Sequence, residues 1–454
     1  MPFDQGEEAV FDRARKALGA SLLQTELLNK YFEGEQRLVS LGLAIPPELA
    51  SFTVIANWAA QPVMSTEARL DVTGFRIAEA GVADQRLQEV WQYNNMDERQ
   101  SFVHTESMAL RRSYVCVGTN DEHPEYPLIT VESPREMIAL RDSRTHRVTS
   151  AVRLYDVVNG SATRATLYLP NVTRWLVLSD GKWLDERDPD EHNLGGVPVV
   201  PFVNRHRPTP IVTTDGDDGR SDMESIIPLA DAAARVLTNT QLAQETIAAP
   251  ARAVLGVSKG DFVDASGEPM PVWESYFSSV WATGNAQARV HQFDAAPMSN
   301  FADLITMYAR LAASVTPLAV EDFGLATDNP PSAEGRRAGE TKLIKHTERK
   351  QTQFGHAWEA VNRLVFRFRD GDWNPDARRM ETLWRDAGTP TKAQVTDAVV
   401  KQFQTGLVDW ETAQEELGRS PEQIARMKER RNADLMTSIG AGVEAFGRGD
   451  VGEG

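Results

Sequence analysis

The stretch from Thr316 to Lys350 constrains the possible folds of this chain most strongly, because a short loop there separates two helical patterns of opposite character. The first pattern has apolar residues at helical spacing, namely Phe301, Leu304, Ile305, Tyr308, Leu311, Ala312 and Val315. The loop ends in Pro330 and Pro331, which force an extended backbone, and the hydroxyl of Ser332 can then cap the next helix. That helix is polar on nearly every face through Lys350, so we predict that it is shared between subunits or borders a channel.

Composition indicates a folded protein of more than one domain. The chain has 454 residues, of which 41% are hydrophobic, and this is enough to bury substantial cores. It contains no apolar run of about 18 to 20 residues, the length that spans a bilayer. Its first residues are acidic where a signal peptide is basic. We therefore expect a soluble protein, made in the cytoplasm, with no membrane partner.

The net charge of −17 argues against a protein that holds nucleic acid tightly, because stable phosphate binding needs clustered lysine and arginine. An acidic wall suits a conduit through which a duplex slides, since it repels phosphate. Acidic charge also keeps many proteins soluble. Charge alone therefore permits a conduit without indicating one.

The region from Leu43 to about Phe202 has the pattern of an α+β body. Short β-rich runs alternate there with turn dipeptides such as Asn159-Gly160. The runs are Tyr114 to Val117, Val148 to Val158, Ala165 to Leu169 and Trp175 to Leu178, with helices expected near Val82 to Asn94 and near Asp97 to Arg112. The single cysteine, Cys116, falls in one of these runs and is expected to be a buried thiol. Helical patterns dominate the rest of the chain, so the predicted fold class is α+β and mainly helical.

A capping box of Ser221 and Glu224 marks the start of a long helical segment, which Pro228 is expected to bend. Small and polar residues recur along it at alternating spacings of three and four, and these are Ala230, Ala233, Leu237, Thr240, Gln244 and Ile247. Small residues let helices approach closely, which favours packing of this seam against further copies of itself. Ordinary packing within one chain is the alternative.

An aromatic patch follows in the insert between about residues 256 and 297. It consists of Trp273, Tyr276, Phe277 and Trp281, at helical spacing after Pro271. Such a patch can be the small core of a subdomain, or an exposed docking surface, because aromatic residues dominate interface hot spots. Both interpretations stay open, and a strand is expected nearby at Ala288 to Phe293.

The last third of the chain is predicted to be helical. The second half of the long polar helix carries an apolar stripe that returns it to a core, made of Phe354, Trp358, Val361, Val365 and Phe368. Further on, Ser420 with Gln423 and Thr391 with Gln394 form capping boxes, and Gly406 and Gly418 end the preceding helices. Repeated glycines from residue 440 onward predict a disordered end.

The sequence lacks the motifs that would indicate an enzyme. A nucleotide-binding glycine loop, a nucleophile elbow and a His-Glu-x-x-His zinc motif do not occur in it. His346 and His356 are interpreted as surface or interface histidines without a catalytic partner. We therefore predict no catalytic residues, no cofactor and no metal.

One acidic cluster could in principle bind a divalent cation, and it consists of Asp215, Asp217, Asp218, Asp222 and Glu224. Its spacing does not fit a calcium loop, because Arg220 stands where the required glycine belongs. A solvated linker ahead of a helix N-terminus explains it more simply. A metal-dependent nuclease acting at this cluster is the alternative from another functional class.

Several short segments carry a resemblance to a known family. In chain order they are Tyr31 to Leu38, Leu43 to Leu49, Val54 to Trp58, Arg69 to Phe75, Ser221 to Glu224, Ile226 to Ala232, and the loop from Glu321 to Pro331. In their order and spacing they resemble the portal proteins of long-tailed bacteriophages. The resemblance spans roughly Tyr31 to Glu429.

The resemblance implies a portal fold, assembled as a ring of twelve copies around a central channel. The implied regions are residues 1–220 (wing), 221–255 (first stem helix), 256–297 (clip), 298–317 (second stem helix), 318–331 (tunnel loop), 332–390 (long helix and wing) and 391–454 (crown with a disordered tail). The tunnel loop is expected to project into the channel. Its DNA-facing residues would be Asp322, Phe323, Gly324, Leu325, Thr327, Asp328 and Asn329. The loop from Glu321 to Asn329 has no lysine or arginine, so contact through shape rather than charge is expected.

The implied function is to conduct double-stranded DNA through one vertex of a capsid during packaging and ejection. The implied partners are further copies of the chain, terminase, a head-completion or adaptor protein, and the major capsid and scaffolding proteins. The aromatic patch would be the docking surface for terminase and then for neck proteins. Assembly is expected in the host cytoplasm, with the finished protein in the virion. Another head-to-tail connector ring is the alternative within the structural class.

Overall fold

The computed structural model describes residues 5–37, 53–77, 83–205, 219–248, 252–255, 289–292, 298–325, 333–388, 392–420 and 423–433. The chain forms two compact units. The first consists of residues 1–32, 60–224 and 331–454, and the second of residues 33–59 and 225–330. Each unit therefore draws on segments that are distant in sequence.

A five-stranded antiparallel sheet forms one part of the first unit, with its strands in sequential order. The strands are β4 (Met137–Arg141), β5 (Val148–Val158), β6 (Ser161–Tyr168), β7 (Thr173–Ser179) and β8 (Lys182–Asp185). The β5–β6 turn has Asn159 and Gly160 at φ of 51° and 79°, the left-handed geometry that a tight hairpin requires. The predicted β-rich runs Val148 to Val158, Ala165 to Leu169 and Trp175 to Leu178 are therefore confirmed as strands of this sheet.

Helix α1 (Gln5–Glu33) packs on this sheet through its apolar stripe. Phe11, Ala14 and Leu18 are buried, and the ring of Phe11 meets that of Trp183 edge to face at 5.4 Å. Burial of such side chains stabilises the unit by roughly 1.5 to 3 kcal/mol for each large one. Leu23 lies off this buried face and is 85% exposed, whereas Leu28, further along the helix, is buried.

A second, three-stranded sheet has β2 (Arg112–Gly118) between β3 (Leu128–Glu132) and β9 (Val199–Val203). The side of β2 that carries Tyr114 and Cys116 packs against Met137 and Ala139 of the larger sheet. Cys116 is buried as predicted, and its burial raises the pKa of the thiol. The thiol therefore stays protonated and serves as an apolar packing group.

Three helices precede β2 or lie beside it: α2 (Gln61–Glu67), α3 (Gln85–Tyr93) and α4 (Met96–Ala109). Asp84 caps α3, since its carboxylate accepts from the backbone N–H groups of Arg86 and Leu87 at 2.9 and 3.3 Å. The helices α3 and α4 lie where the sequence predicted them.

The second unit contains two long helices, α5 (Ile227–Ala248) and α6 (Ser299–Val315), which pack against each other. Strands β10 (Arg252–Leu255) and β11 (Arg289–Gln292) pair antiparallel, with Arg252 opposite Gln292. Pro228 is the second residue of α5, a position where proline fits without a bend, so the expected bend is replaced by a helix start.

Helix α7 (Ala333–Asp370) is the longest in the described chain and supplies the aromatic centre of the first unit. Its Trp358 is fully buried between Trp91 and Phe202, with ring centroids at 5.0 and 4.7 Å. The predicted apolar stripe is confirmed for Phe354, Trp358, Val361 and Val365, whereas Phe368 is only half-buried.

The C-terminal part of the described chain joins the first unit through a strand and short helices. Strand β12 (Met380–Trp384) pairs antiparallel with β1 (Val72–Ile77), and α8 (Lys392–Gln404), α9 (Trp410–Glu416) and a helix over 423–433 follow. The predicted capping box at Ser420 is present, since Ser420 and Gln423 exchange hydrogen bonds of 3.3 and 3.4 Å. Across the described ranges, no helix combines the length and hydropathy needed to cross a bilayer.

Candidate functional site

The predicted stem helices α5 and α6 pack against each other, and both carry buried alanines. Ala230, Ala233 and Ala234 of α5 are fully buried, and so are Ala309 and Ala312 of α6. Side chains as short as these permit a close approach of neighbouring backbones.

The expectation that Ala230 and Ala233 pack between subunits therefore needs correction. Their exposed fractions are 1% and 0% in a single chain, so both contacts are already filled by the same chain. Leu237 and Thr240 are half-buried and Gln244 is exposed, which leaves only the later part of the seam open to a second copy. Heptad spacing of small residues is equally compatible with packing inside one chain, and this explains the difference.

Helix α6 carries a second apolar face that its own chain leaves exposed. The exposed fractions are 39% for Leu304, 44% for Met307, 43% for Leu311 and 48% for Val315. Their spacing of three, four and four places them in one stripe along the helix. This stripe, called the α6 stripe below, lies on a different side of α6 from Ala309 and Ala312.

The chain between α6 and the predicted tunnel loop forms a short 3₁₀ turn, Val320–Phe323. The carboxylate of Asp322 accepts a hydrogen bond of 2.8 Å from the backbone N–H of Ala319, which closes the turn on itself. Gly324 follows with φ of 83°, a left-handed conformation that favours glycine. The segment predicted as a loop therefore begins with a 3₁₀ turn, and Gly324, its predicted pivot, follows that turn.

Phe323 is the residue whose predicted role the structure changes most. Its ring is 5% exposed and meets the ring of Trp58 edge to face at 5.5 Å. Within one chain the ring therefore packs in the second unit and does not face solvent. Contact between Phe323 and DNA stays a prediction that would require the ring to leave Trp58.

The segment that carries Trp58 also reaches α5. The backbone N–H of Val54 donates to Oγ1 of Thr238 at 3.0 Å, and that hydroxyl donates to the carbonyl of Ala234 at 2.8 Å. Residues 53–59 thus contact both the first predicted stem helix and the base of the tunnel loop. The sequence pattern does not indicate this role for residues 53–59, because their partners are far away along the chain.

Several predicted site residues lie outside the described part of the chain. They are Thr327, Asp328 and Asn329 of the loop, Ser332, and the aromatic residues Trp273, Tyr276, Phe277 and Trp281. Among the described loop residues, Asp322 and Gly324 are positioned as stated above, Leu325 is half-buried and Glu321 is exposed. The charge of this described part is negative, so it repels phosphate.

Of the acidic cluster, Asp215, Asp217 and Asp218 lie outside the described residues, and the two described members, Asp222 and Glu224, pair with basic side chains. Asp222 is 3% exposed and pairs with Lys350 at 3.2 Å, and Glu224 lies 3.2 Å from Arg220. In the parts of the chain that are described, no three His, Cys, Asp or Glu side chains are placed to hold a metal together. His346 has a partner after all, since its Nε2 lies 3.2 Å from Asp222.

An α+β body, a pair of long helices and a turn that follows the second helix define an α+β fold in the described part of the chain. Comparison with known proteins identifies the family. Residues 20–435 match the family described as phage portal protein, SPP1 Gp6-like. The chain belongs to this family, and its function is that of a phage portal protein.

Individual relatives agree with this assignment. The portal protein of Mycobacterium phage D29 is 35% identical over 414 residues, which cover 89% of this chain and 84% of the relative. The portal protein of Mycobacterium phage L5 is 32% identical over 430 residues, with 92% and 86% covered. A chain from the neck of an empty gene transfer agent particle is similar at 12% identity and a TM-score of 0.43, covering 83% of this chain and 91% of that chain.

Proposed function

We propose that copies of this portal protein form a closed ring around a channel at one capsid vertex, and that double-stranded DNA passes through it during packaging and ejection. Membership of the portal family supports this function. The observation in this chain that carries the ring is the α6 stripe, because it is an apolar helix face without cover from the described part of its own chain.

The α6 stripe fits a contact with a neighbouring copy for a simple reason. Helix α6 is apolar on two sides, one packed on α5 and one exposed, and such a helix is normally buried between two neighbours. In a ring, each copy presents one surface to the next and receives a different one in return. The stripe is one such surface, and the later part of the seam, from Leu237 to Gln244, is a candidate for the other.

The proposed division of the chain follows the portal family. Residues 1–220 and 332–390 form the wing, 221–255 and 298–317 the stem, 256–297 the clip, 318–331 the tunnel loop and 391–454 the crown. The helices α5 (Ile227–Ala248) and α6 (Ser299–Val315) lie within the proposed stem segments, which supports this division. The aromatic residues of the clip would present the docking surface for terminase and then for a head-completion or adaptor protein.

The tunnel loop would act as a compliant seal against the DNA. Its described residues include Glu321 and Asp322 and no basic side chain, so it cannot bind phosphate strongly and lets a duplex slide. Gly324 would be the pivot, and the turn from Val320 to Phe323 would be its fixed base. Because the sequence contains no nucleotide-binding loop, the energy for translocation would come from a separate terminase ATPase. Capsid and scaffolding proteins would contact the wing during assembly in the host cytoplasm.

Electron microscopy of the purified full-length protein tests the ring. We expect particles with rotational symmetry and a central channel wide enough for a DNA duplex. A population of monomers at micromolar concentration, in a preparation whose circular dichroism shows folded helices, would contradict the proposal.

A further inference from the structure

A buried lysine interrupts the apolar stripe of α7. One buried face of the helix carries Leu343, Thr347, Lys350, Phe354, Trp358, Val361 and Val365, at spacings of three and four. Lys350 is 3% exposed and lies in the middle of this series. A charged group at such a position costs desolvation free energy, so its partners need an explanation beyond ordinary packing.

The partners of Lys350 belong to two separate stretches of the chain. Its ammonium donates to Oδ1 of Asn204, directly after β9, and to Oδ1 of Asp222 at 3.2 Å. The other carboxylate oxygen of Asp222 lies 3.2 Å from Nε2 of His346, one turn earlier on α7. Two side chains of α7 therefore hold one carboxylate, which is itself 3% exposed.

Asn204 joins these two stretches to each other. Its side-chain Nδ2 donates to the backbone carbonyl of Arg220 at 2.7 Å and to Oδ1 of Asp222 at 2.9 Å. Its backbone carbonyl accepts from the backbone N–H of Arg220 at 2.9 Å. The backbone N–H of Asp222 also donates to the carbonyl of Met108 at 3.0 Å. Arg220 and Asp222 are thus hydrogen-bonded to Asn204, Lys350 and Met108 just before α5 begins at Ile227.

Hydrogen bonds and charge make this attachment different from an apolar contact. Burial lowers the pKa of Lys350, and the attraction of Asp222 opposes that effect only in part. A buried ion pair of this kind adds little net stability compared with apolar groups of the same size, but it accepts only one relative position of its partners. Such a pair therefore fixes the relative position of its two partners more than it stabilises the fold.

We propose that Asp222 and Lys350 form a conformational latch, which fixes residues 219–224 against α7 and, when it opens, releases them as a local unit while the rest of the first unit stays folded. The latch lies entirely within the first unit. It acts in a single copy of the chain, whether or not copies form a ring. Because residue 224 leads directly into α5, the latch controls how firmly the chain is fixed at the start of the proposed stem.

Hydrogen exchange of the full-length protein tests the latch, with Lys350→Met as the variant. We expect backbone amides of residues 219–224 to exchange about tenfold faster or more, while amides of the five-stranded sheet keep their protection. Lys345→Met is the matched control, because Lys345 lies on the same helix with a side chain 67% exposed. It should leave exchange unchanged.

A double variant, Asp222→Asn with Lys350→Met, separates a latch from a merely stabilising ion pair. It removes both charges, so no unpaired charge stays buried. The latch predicts that residues 219–224 still exchange faster in the double variant. Protection restored to the wild-type level, exchange that rises equally across the sheet in either variant, or no change in Lys350→Met would each overturn the proposal.

Discussion

The indole N–H of Trp358 donates a hydrogen bond of 3.0 Å to Nε2 of His104, and both side chains are fully buried. To accept this bond, Nε2 must carry no proton, so the imidazole is neutral. The ring of His104 also stacks on Phe354 at 5.4 Å, which places an ionisable group inside an aromatic core.

The first prediction is that His104 makes the protein sensitive to acid. Burial lowers the pKa of His104 from 6.5 to about 3. Between these values the unfolded chain binds a proton that the folded chain does not, so the free energy of unfolding falls as pH falls from about 6.5 to about 3. The slope contributed by this residue is about 1.4 kcal/mol per pH unit.

Urea unfolding at several pH values checks this, with His104→Gln as the variant. Glutamine cannot titrate and keeps an acceptor for Trp358, so the variant should lose less stability between pH 6 and pH 4 than the wild type. Equal slopes in the variant and the wild type would show that His104 does not control this transition.

A second prediction concerns the anchor of the tunnel loop. Phe323→Ala removes a buried ring from its contact with Trp58 and should lower the free energy of unfolding by about 3 to 5 kcal/mol. Glu321→Ala, on the same turn but exposed, should change it by less than about 0.5 kcal/mol. Denaturant unfolding curves give both values. If the two variants were equally stable, Phe323 would have no anchoring role.

The α6 stripe gives a third prediction. Leu311→Glu places a charge in the proposed contact between copies, and every copy in a ring repeats the change, so the ring should dissociate. Light scattering after size exclusion measures the mass. Leu407→Glu, at a tail residue that is 77% exposed, should leave the mass unchanged. A full-size particle from Leu311→Glu would exclude the stripe from the interface.

Gly219 supports a fourth prediction. A Cβ at this position would overlap the backbone carbonyl of Arg111, which cannot move as a flexible side chain can. Gly219→Ala should therefore destabilise the first unit by about 1 to 3 kcal/mol. Gly196→Ala, where the space is open and φ is not left-handed, is the control and should be nearly neutral. Thermal unfolding of both variants decides the matter, and matching midpoints would count against the close contact.

Periodicity predicted the large elements of the fold well, because it depends on residues that are close in sequence. The helices α5, α6 and α7 and the strands from β5 to β7 follow from spacing alone. The capping box at Ser420 is present for the same reason, since its hydrogen bonds join residues three apart. At Ser221 only the bond from its N–H group to the Glu224 carboxylate is present, and α5 begins later, at Ile227.

Contacts between distant segments could not be predicted from spacing. A phenylalanine in a Gly- and Pro-rich loop is expected to have an exposed side chain. No neighbouring residue in the sequence indicates that the ring of Phe323 packs against Trp58. Lys350 in a polar helix likewise suggests a solvated side chain. A signal was available, because Lys350 falls at the spacing of the apolar stripe that continues from Phe354. For Ala233, spacing alone could not show whether its packing partners belong to the same chain or to another copy.

The division of the chain between its two units has a consequence for how the polypeptide folds as it leaves the ribosome. The first unit needs residues from before 32 and from beyond 331, and its aromatic centre is incomplete until Trp358 has been synthesised. Until then Trp91 and Phe202 lack the Trp358 ring against which they pack in the finished fold. A nascent chain that stops short of Trp358 therefore cannot complete this aromatic centre, so the first unit can fold fully only after the last third of the chain has been made.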